Sequence, residues 1–366
     1  FLLGVTPVDA AEAWQKFKES DYAEPPSFRY RPLTTDPELL LRQLYEVPLE
    51  HVEDPTLDRI FREKLREVAR QLTMFAERNT HRFLYGSLQL YGGIEPQLLE
   101  LAEALLEAIP DAGNGDKNVV DAEDFAQLAT HEFARYREQS PEFDAELDIR
   151  DDISGLMVSR GTLLIDRSLS LAPSRAHALL HHEVGTHVVT WMNGRSQPLH
   201  IFRTGLAGYE QMQEGLAVLA EYLVGGLTPG RLSLLAARVV AVERMVRGAS
   251  FIEIFDELTG VYGLGSRTAF TATMRVTRGG GLTKDAVYLR GLQEVIGYLR
   301  DGGDLELLYI GKIALAHVPV AQELLYRGVL HASPLRPTCL DAPEAAKRLS
   351  QLREGLPIVQ MYERNA

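Results

Sequence analysis

The residues best equipped for chemistry lie in one run, His181-His182-Glu183-Val184-Gly185-Thr186-His187. A His-Glu-x-x-x-His arrangement has the composition of a metallopeptidase centre, in which imidazole nitrogens hold a divalent metal and the carboxylate takes a proton from water. The usual pattern places the two histidines four apart on a helix, about 40° around its axis. Here the spacing is five. A regular α-helix would then separate the two imidazoles by about 140°, too far for one ion to bridge. The helix must therefore widen into a π-turn or end early, and Gly185 in mid-run eases such a distortion because it already costs a regular helix about 1 kcal/mol. The plainer reading of the same residues is a His-rich helix hydrogen-bonded in the core.

A second segment weighs against that plainer reading. Gln213-Glu214-Gly215-Leu216-Ala217-Val218-Leu219-Ala220-Glu221 is an apolar helix carrying a carboxylate, Glu214, where its core stripe would run. A buried carboxylate needs a partner, and a divalent metal is a good one. Two His and one Glu from a later helix make a catalytic zinc shell with one position open to water. Glu221, two turns on, is expected as a solvated residue in preference to an acceptor behind the site.

The runs HHEVGTH, QEGLA and LTKDAVYLRG resemble the microtubule-associated tyrosine carboxypeptidases and their bacterial relatives with a QEGLA motif, most strongly from Ile149 to Gly291. Asn79-Thr80 and Leu90-Tyr91-Gly92 extend the resemblance, more weakly, towards the N-terminus. It implies a zinc carboxypeptidase of zincin-like fold, with His182, His187 and Glu214 as ligands to Zn2+ and Glu183 as general base. The expected substrate is the C-terminus of a peptide or protein, from which a single aromatic residue such as Tyr is removed. A net charge of -13 would repel an acidic protein tail except at a local basic site, so tubulin is not carried over as the substrate.

A local basic site can be sought around Gly279-Gly280-Gly281, where Arg275, Arg278 and Lys284 cluster in a stretch similar to the family's Arg-containing loop and following Lys-Asp. It lacks the spacing of a phosphate loop. Its bland reading is a glycine loop edged by solvated charges. Its functional reading is a clamp in which one or two cations hold a terminal carboxylate, with Arg275 or Arg278 ahead of Lys284 because a guanidinium makes two parallel bonds. Tyr288 would donate to the developing oxyanion. Arg203 is a weaker substrate-binding candidate, and Tyr209 is expected to pack.

These groups need elements to hold them. Apolar residues at three and four spacing predict helices at Pro37 to Tyr45, Thr56 to Arg78, Glu95 to Ile109 and Ala122 to Arg137, with breaks at Asp54-Pro55, Tyr91-Gly92-Gly93 and Pro110 to Gly115. Alternation over Leu147 to Arg150, Gly155 to Ser159 and Thr162 to Asp166, with a turn at Arg160-Gly161, predicts a small hairpin beside the motif helix. Its edge would suit an extended substrate. The motif helix should open at Pro173 and stop at Asn193-Gly194. Further helices are expected at about Tyr209 to Val224, Pro229 to Arg247, Phe251 to Leu258, Ser266 to Thr277, Lys284 to Leu299 and Ala342 to Arg353. The expected class is α+β, mostly helical, with an N-terminal helical lobe over 1–140 and a catalytic region over 141–366, together one compact unit.

Composition narrows the function classes. In 366 residues, 51 acidic against 38 basic residues work against broad nucleic-acid binding. The longest apolar stretch, Gly215 to Leu227, is too short for a membrane span and contains Glu221. A single cysteine, Cys339, rules out an intramolecular disulfide and a Cys-rich metal site and suggests a reducing, cytoplasmic setting. The chain begins at Phe1 without an initiator Met, which leaves room for a segment ahead of it. Three other functions share parts of this pattern. They are a zinc endopeptidase, a di-iron oxidase using His181, Glu183, Glu214 and Glu221, and a non-catalytic protein whose metal only ties two helices together.

Overall fold

The computed structural model describes residues 2–109 and 119–362. The break expected at Pro110 to Gly115 lies outside them. The described residues are mostly helical with two small sheets, and the chain divides into two units, each discontinuous in sequence. One comprises 1–112 and 229–289, the other 113–228 and 290–366.

In the first unit the helices start where capping chemistry directs. Asp54 accepts from the backbone amides of Thr56 and Leu57 ahead of Pro55–Ala76, and Ser250 forms a capping box with Glu253 ahead of Phe251–Gly260. Phe17, Phe251, Phe255 and Phe270 pack edge-on and tilted, with centroids 4.9 to 5.7 Å apart. The helix Arg82–Tyr91 escaped the sequence reading: His81 makes no side-chain cap bond, and Gly86 interrupts the pattern. Helices Pro229–Val246 and Ser266–Thr277 carry Arg238 and Arg275, and a 3-10 turn, Thr283–Ala286, carries Lys284 and Asp285.

In the second unit the hairpin forms as the alternation predicts. Leu156–Ser159 pairs antiparallel with Thr162–Asp166, in register Leu156 to Ile165, across a turn in which Arg160 and Gly161 both take positive φ. Leu147–Arg150 joins the other side of Thr162–Asp166 in parallel, a pairing that alternation could not reveal. Leu156–Ser159 is thus an edge strand.

The motif helix does not stop at Asn193-Gly194, which corrects the sequence expectation. It runs as Pro173–His182, a π-helix Glu183–Val188 and Val189–Ser196. Asn193 is fully buried and gives its amide to the carbonyls of Tyr309 and Leu335 while accepting from the Leu335 amide. A Cβ on Gly194 would sit 2.3 Å from the Phe202 carbonyl oxygen, so this glycine allows close packing inside the helix. The next helix, Tyr209–Leu223, carries Glu214. Its Gly215 lies against Gly291, where a Cβ would come within 2.1 Å of the Gly291 carbonyl carbon, so the glycines of QEGLA and YLRG bring two backbones together.

Candidate metal centre

The π-helix supplies the widening that the five-residue spacing requires. Its wider turns, closed by i to i+5 hydrogen bonds, bring His182 and His187 to one side, with ring centroids 5.2 Å apart. Glu214 reaches both from the following helix: one carboxylate oxygen, Oε2, lies 3.6 Å from Nε2 of His182 and 3.6 Å from Nε2 of His187. One ligand atom from each of the three falls within 4.8 Å of the others.

A separation of 3.6 Å is long for a hydrogen bond, but it is close to the spacing of two donors about 2.0 to 2.2 Å from one tetrahedral ion, roughly 3.3 to 3.6 Å apart. The donor set, two imidazole nitrogens and a carboxylate oxygen, is also the set that suits zinc. The residues present therefore fit such an ion.

The other nitrogen of His182 is accounted for. Nδ1 lies 2.7 Å from Oε1 of Glu221, which is fully buried and pairs through its second oxygen with Arg175. The expectation that Glu221 is solvated is therefore wrong. Helix Tyr209–Leu223 is buried all round at this level, which a sequence of small and apolar residues does not distinguish from a one-sided stripe. Burial alone would lower the His182 pKa, yet the Glu214 and Glu221 carboxylates outweigh it and hold the group at about 9. Arg175 and Glu221 went unread as a pair because nothing links positions 175 and 221 until the helices pack.

Glu183 is buried next to this group, with a carboxylate oxygen 4.0 Å from His182 Nε2. His181 points elsewhere. Its ring packs edge-on against His177 at 5.0 Å, and burial, then the charges of His177 and Arg135, pushes its pKa down to about 4. Gln213 accepts from the Thr190 hydroxyl at 2.8 Å, tying the two motif segments together. Arg203 lies over the Trp191 ring at 5.8 Å, and Tyr209 packs beneath Lys312 at 5.6 Å.

In the first unit, the charges around Gly279-Gly280-Gly281 are not the solvated edge of a loop. Arg278 and Lys284 are buried, and Arg275 makes a two-pronged pair with Asp285, which is itself buried. Arg238, unnoticed in the sequence, joins them: its Nε is 3.7 Å from Asp285, and its guanidinium lies 5.2 Å from the centre of the Tyr288 ring. Lys284 sits over Tyr91 at 5.5 Å.

The chain belongs to a family described as microtubule-associated tyrosine carboxypeptidase, whose model matches residues 15–356. No curated protein matches it. The resemblance read from HHEVGTH, QEGLA and LTKDAVYLRG thus extends over nearly the whole chain. The family implies a carboxypeptidase-like hydrolase acting on a peptide or protein. Among the described residues no helix is long and apolar enough to cross a membrane.

Proposed function

We propose that the chain is a zinc-dependent metallocarboxypeptidase of zincin-like fold that removes one C-terminal residue, aromatic and typically Tyr, from a peptide or protein. The observation that carries this reading is the convergence of His182, His187 and Glu214 across the π-helix, 3.6 Å from each Nε2 to the shared carboxylate oxygen. These three are the proposed metal ligands, with the catalytic region assigned to 141–366.

A bound zinc ion would supply Lewis-acid polarisation of the scissile carbonyl and a lowered pKa for water. Glu183 is the general base: it takes the proton of the attacking water and returns it to the leaving amine. With an ion displacing the Nε2 proton, Glu221 would hold the remaining proton of His182 on Nδ1 and leave Nε2 to bind the metal. Arg175 offsets one of the three carboxylates gathered here, so that a divalent cation is balanced by the remaining charge. Arg275, Arg278 and Lys284 are assigned to the substrate's free carboxylate, Tyr288 to the oxyanion and Arg203 to an auxiliary substrate contact. The edge strand Leu156–Ser159 offers a place for an extended peptide.

A mass-resolved digest of a peptide library tests this. Loss of a single C-terminal residue, abolished by chelation and restored by zinc, is expected. Internal cuts as the main products would make the chain an endopeptidase on the same metal ligands.

A further inference from the structure

The widened turn that brings His182 and His187 together is held by side chains as well as by backbone. π-turns are rare within helices, so something must favour this one over the regular pitch. Two fully buried threonines bracket His187, Thr186 just before it and Thr190 three residues after. The Thr186 hydroxyl donates to the carbonyl of His181, five residues back, at 3.2 Å. In a regular helix a threonine hydroxyl turns back only three or four residues. Thr73, Thr130, Thr271 and Thr273 do so here, each reaching the carbonyl four back at 2.8 to 3.0 Å. The bond of Thr186 therefore belongs to the wide turn, and the Val189 amide makes a matching five-residue bond to the Val184 carbonyl. From outside the helix, the side chain of Tyr309, itself buried, hydrogen-bonds with those of Thr186 and Cys339.

The Thr190 hydroxyl sits 2.8 Å from the Thr186 carbonyl and 2.8 Å from Oε1 of Gln213. Gln213 is 1% exposed, and its Nε2 makes no hydrogen bond among the described residues. A buried amide with one end unpaired depends on the bond at its other end, so Thr190 keys the segment that carries Glu214 to the segment that carries His187. We infer that Thr186 and Thr190 are positioning residues for the metal ligands: Thr186 holds the five-residue pitch that turns His187 towards His182, and Thr190, through Gln213, holds Glu214 against them. This rests on the reading of His182, His187 and Glu214 as a metal centre. The hydroxyl is the operative group at both positions, which separates the role from packing. Valine is close to threonine in shape but lacks the bond, whereas serine keeps the bond with less bulk.

Two measurements on Thr186→Val, Thr186→Ser, Thr190→Val and Thr190→Ser test this, made at a temperature where circular dichroism shows each protein folded. The first is zinc affinity by competition with a chelating dye. The second is the d–d absorption of the Co2+-loaded protein, which responds to the geometry of the ligands. The Val variants should bind zinc about 10- to 100-fold more weakly, the range for partners that orient metal ligands, and should show an altered Co2+ spectrum. The Ser variants should stay near the wild type in both. A threonine with only a structural role would lower Tm in the Val variants without moving the affinity or the spectrum of the folded protein, and that result would overturn the inference. So would equal losses in Val and Ser, which would assign the effect to packing. Should Thr186→Val not fold, Tyr309→Phe removes only the hydroxyl that meets Thr186, and unchanged zinc binding in both Tyr309→Phe and Thr190→Val would overturn the inference. The wild type keeps the two readings apart. Zinc bound equally well by wild type and Val variants removes the positioning role and leaves the metal centre standing, whereas a folded wild type that binds no zinc removes both.

Discussion

Nδ1 of His182 lies 2.7 Å from Oε1 of Glu221, a residue one helix away and without exposure to solvent. In the zinc-loaded protein this contact would keep the imidazole proton on Nδ1 and leave Nε2 to the metal beside Glu214 and His187. Replacing Glu221 by Gln keeps an acceptor but loses the charge that pairs with Arg175. Zinc affinity, measured by competition with a chelating dye, should fall about 10- to 100-fold, the range seen when such supporting partners are altered. An unchanged affinity would remove Glu221 from the site.

Glu183 has a separate role. Glu183→Gln preserves volume but accepts no proton, so the variant should retain its zinc and lose about 10²- to 10⁴-fold in turnover. Turnover within a few-fold of wild type would end its assignment as the base.

The close approach of Gly215 to Gly291 gives a prediction about stability. A methyl group at Gly215 meets backbone at 2.1 Å, which cannot yield as a side chain can. Gly215→Ala should cost about 1 to 3 kcal/mol, read as a lowered Tm. Gly230, in helix Pro229–Val246 with nothing within 4 Å of its would-be Cβ, is the comparison, and Gly230→Ala should leave Tm unchanged or raised.

The Asp285 carboxyl predicts an acid dependence. Burial raises its pKa, but Arg275 and Arg238 outweigh burial and hold it far below the usual carboxylate range. A depressed folded-state pKa contributes stability that is fully present above the unfolded value, near 4, and is lost as pH falls below it. Denaturant unfolding should therefore show stability declining below about pH 4, with a shallower decline in Asp285→Asn. Identical slopes for the two proteins would show that Asp285 contributes nothing to the acid limb.

Much of this molecule could be read from local sequence. Pro37–Tyr45 and Ser266–Thr277 lie where periodicity puts them, the hairpin turns at Arg160-Gly161, and the widened helix follows from the spacing of His182 and His187. What escaped depends on packing between distant segments. Asn193-Gly194 has the composition of a helix stop and is instead a buried joint, because Tyr309 and Leu335 supply its partners. Glu221 and Arg238 were missed for the same reason: a charged residue in an apolar helix looks alike whether it meets solvent or a buried partner. The parallel pairing of Leu147–Arg150 with Thr162–Asp166 is a matter of register, which alternation alone leaves open.

The most direct test of the metal centre is zinc content per chain, determined by inductively coupled plasma mass spectrometry on protein prepared without added metal. The wild type and His181→Ala should carry about one zinc per chain, while His182→Ala, His187→Ala and Glu214→Ala should lose most of it. Stoichiometric zinc in His187→Ala, or none in a folded wild type supplied with zinc, would contradict the site.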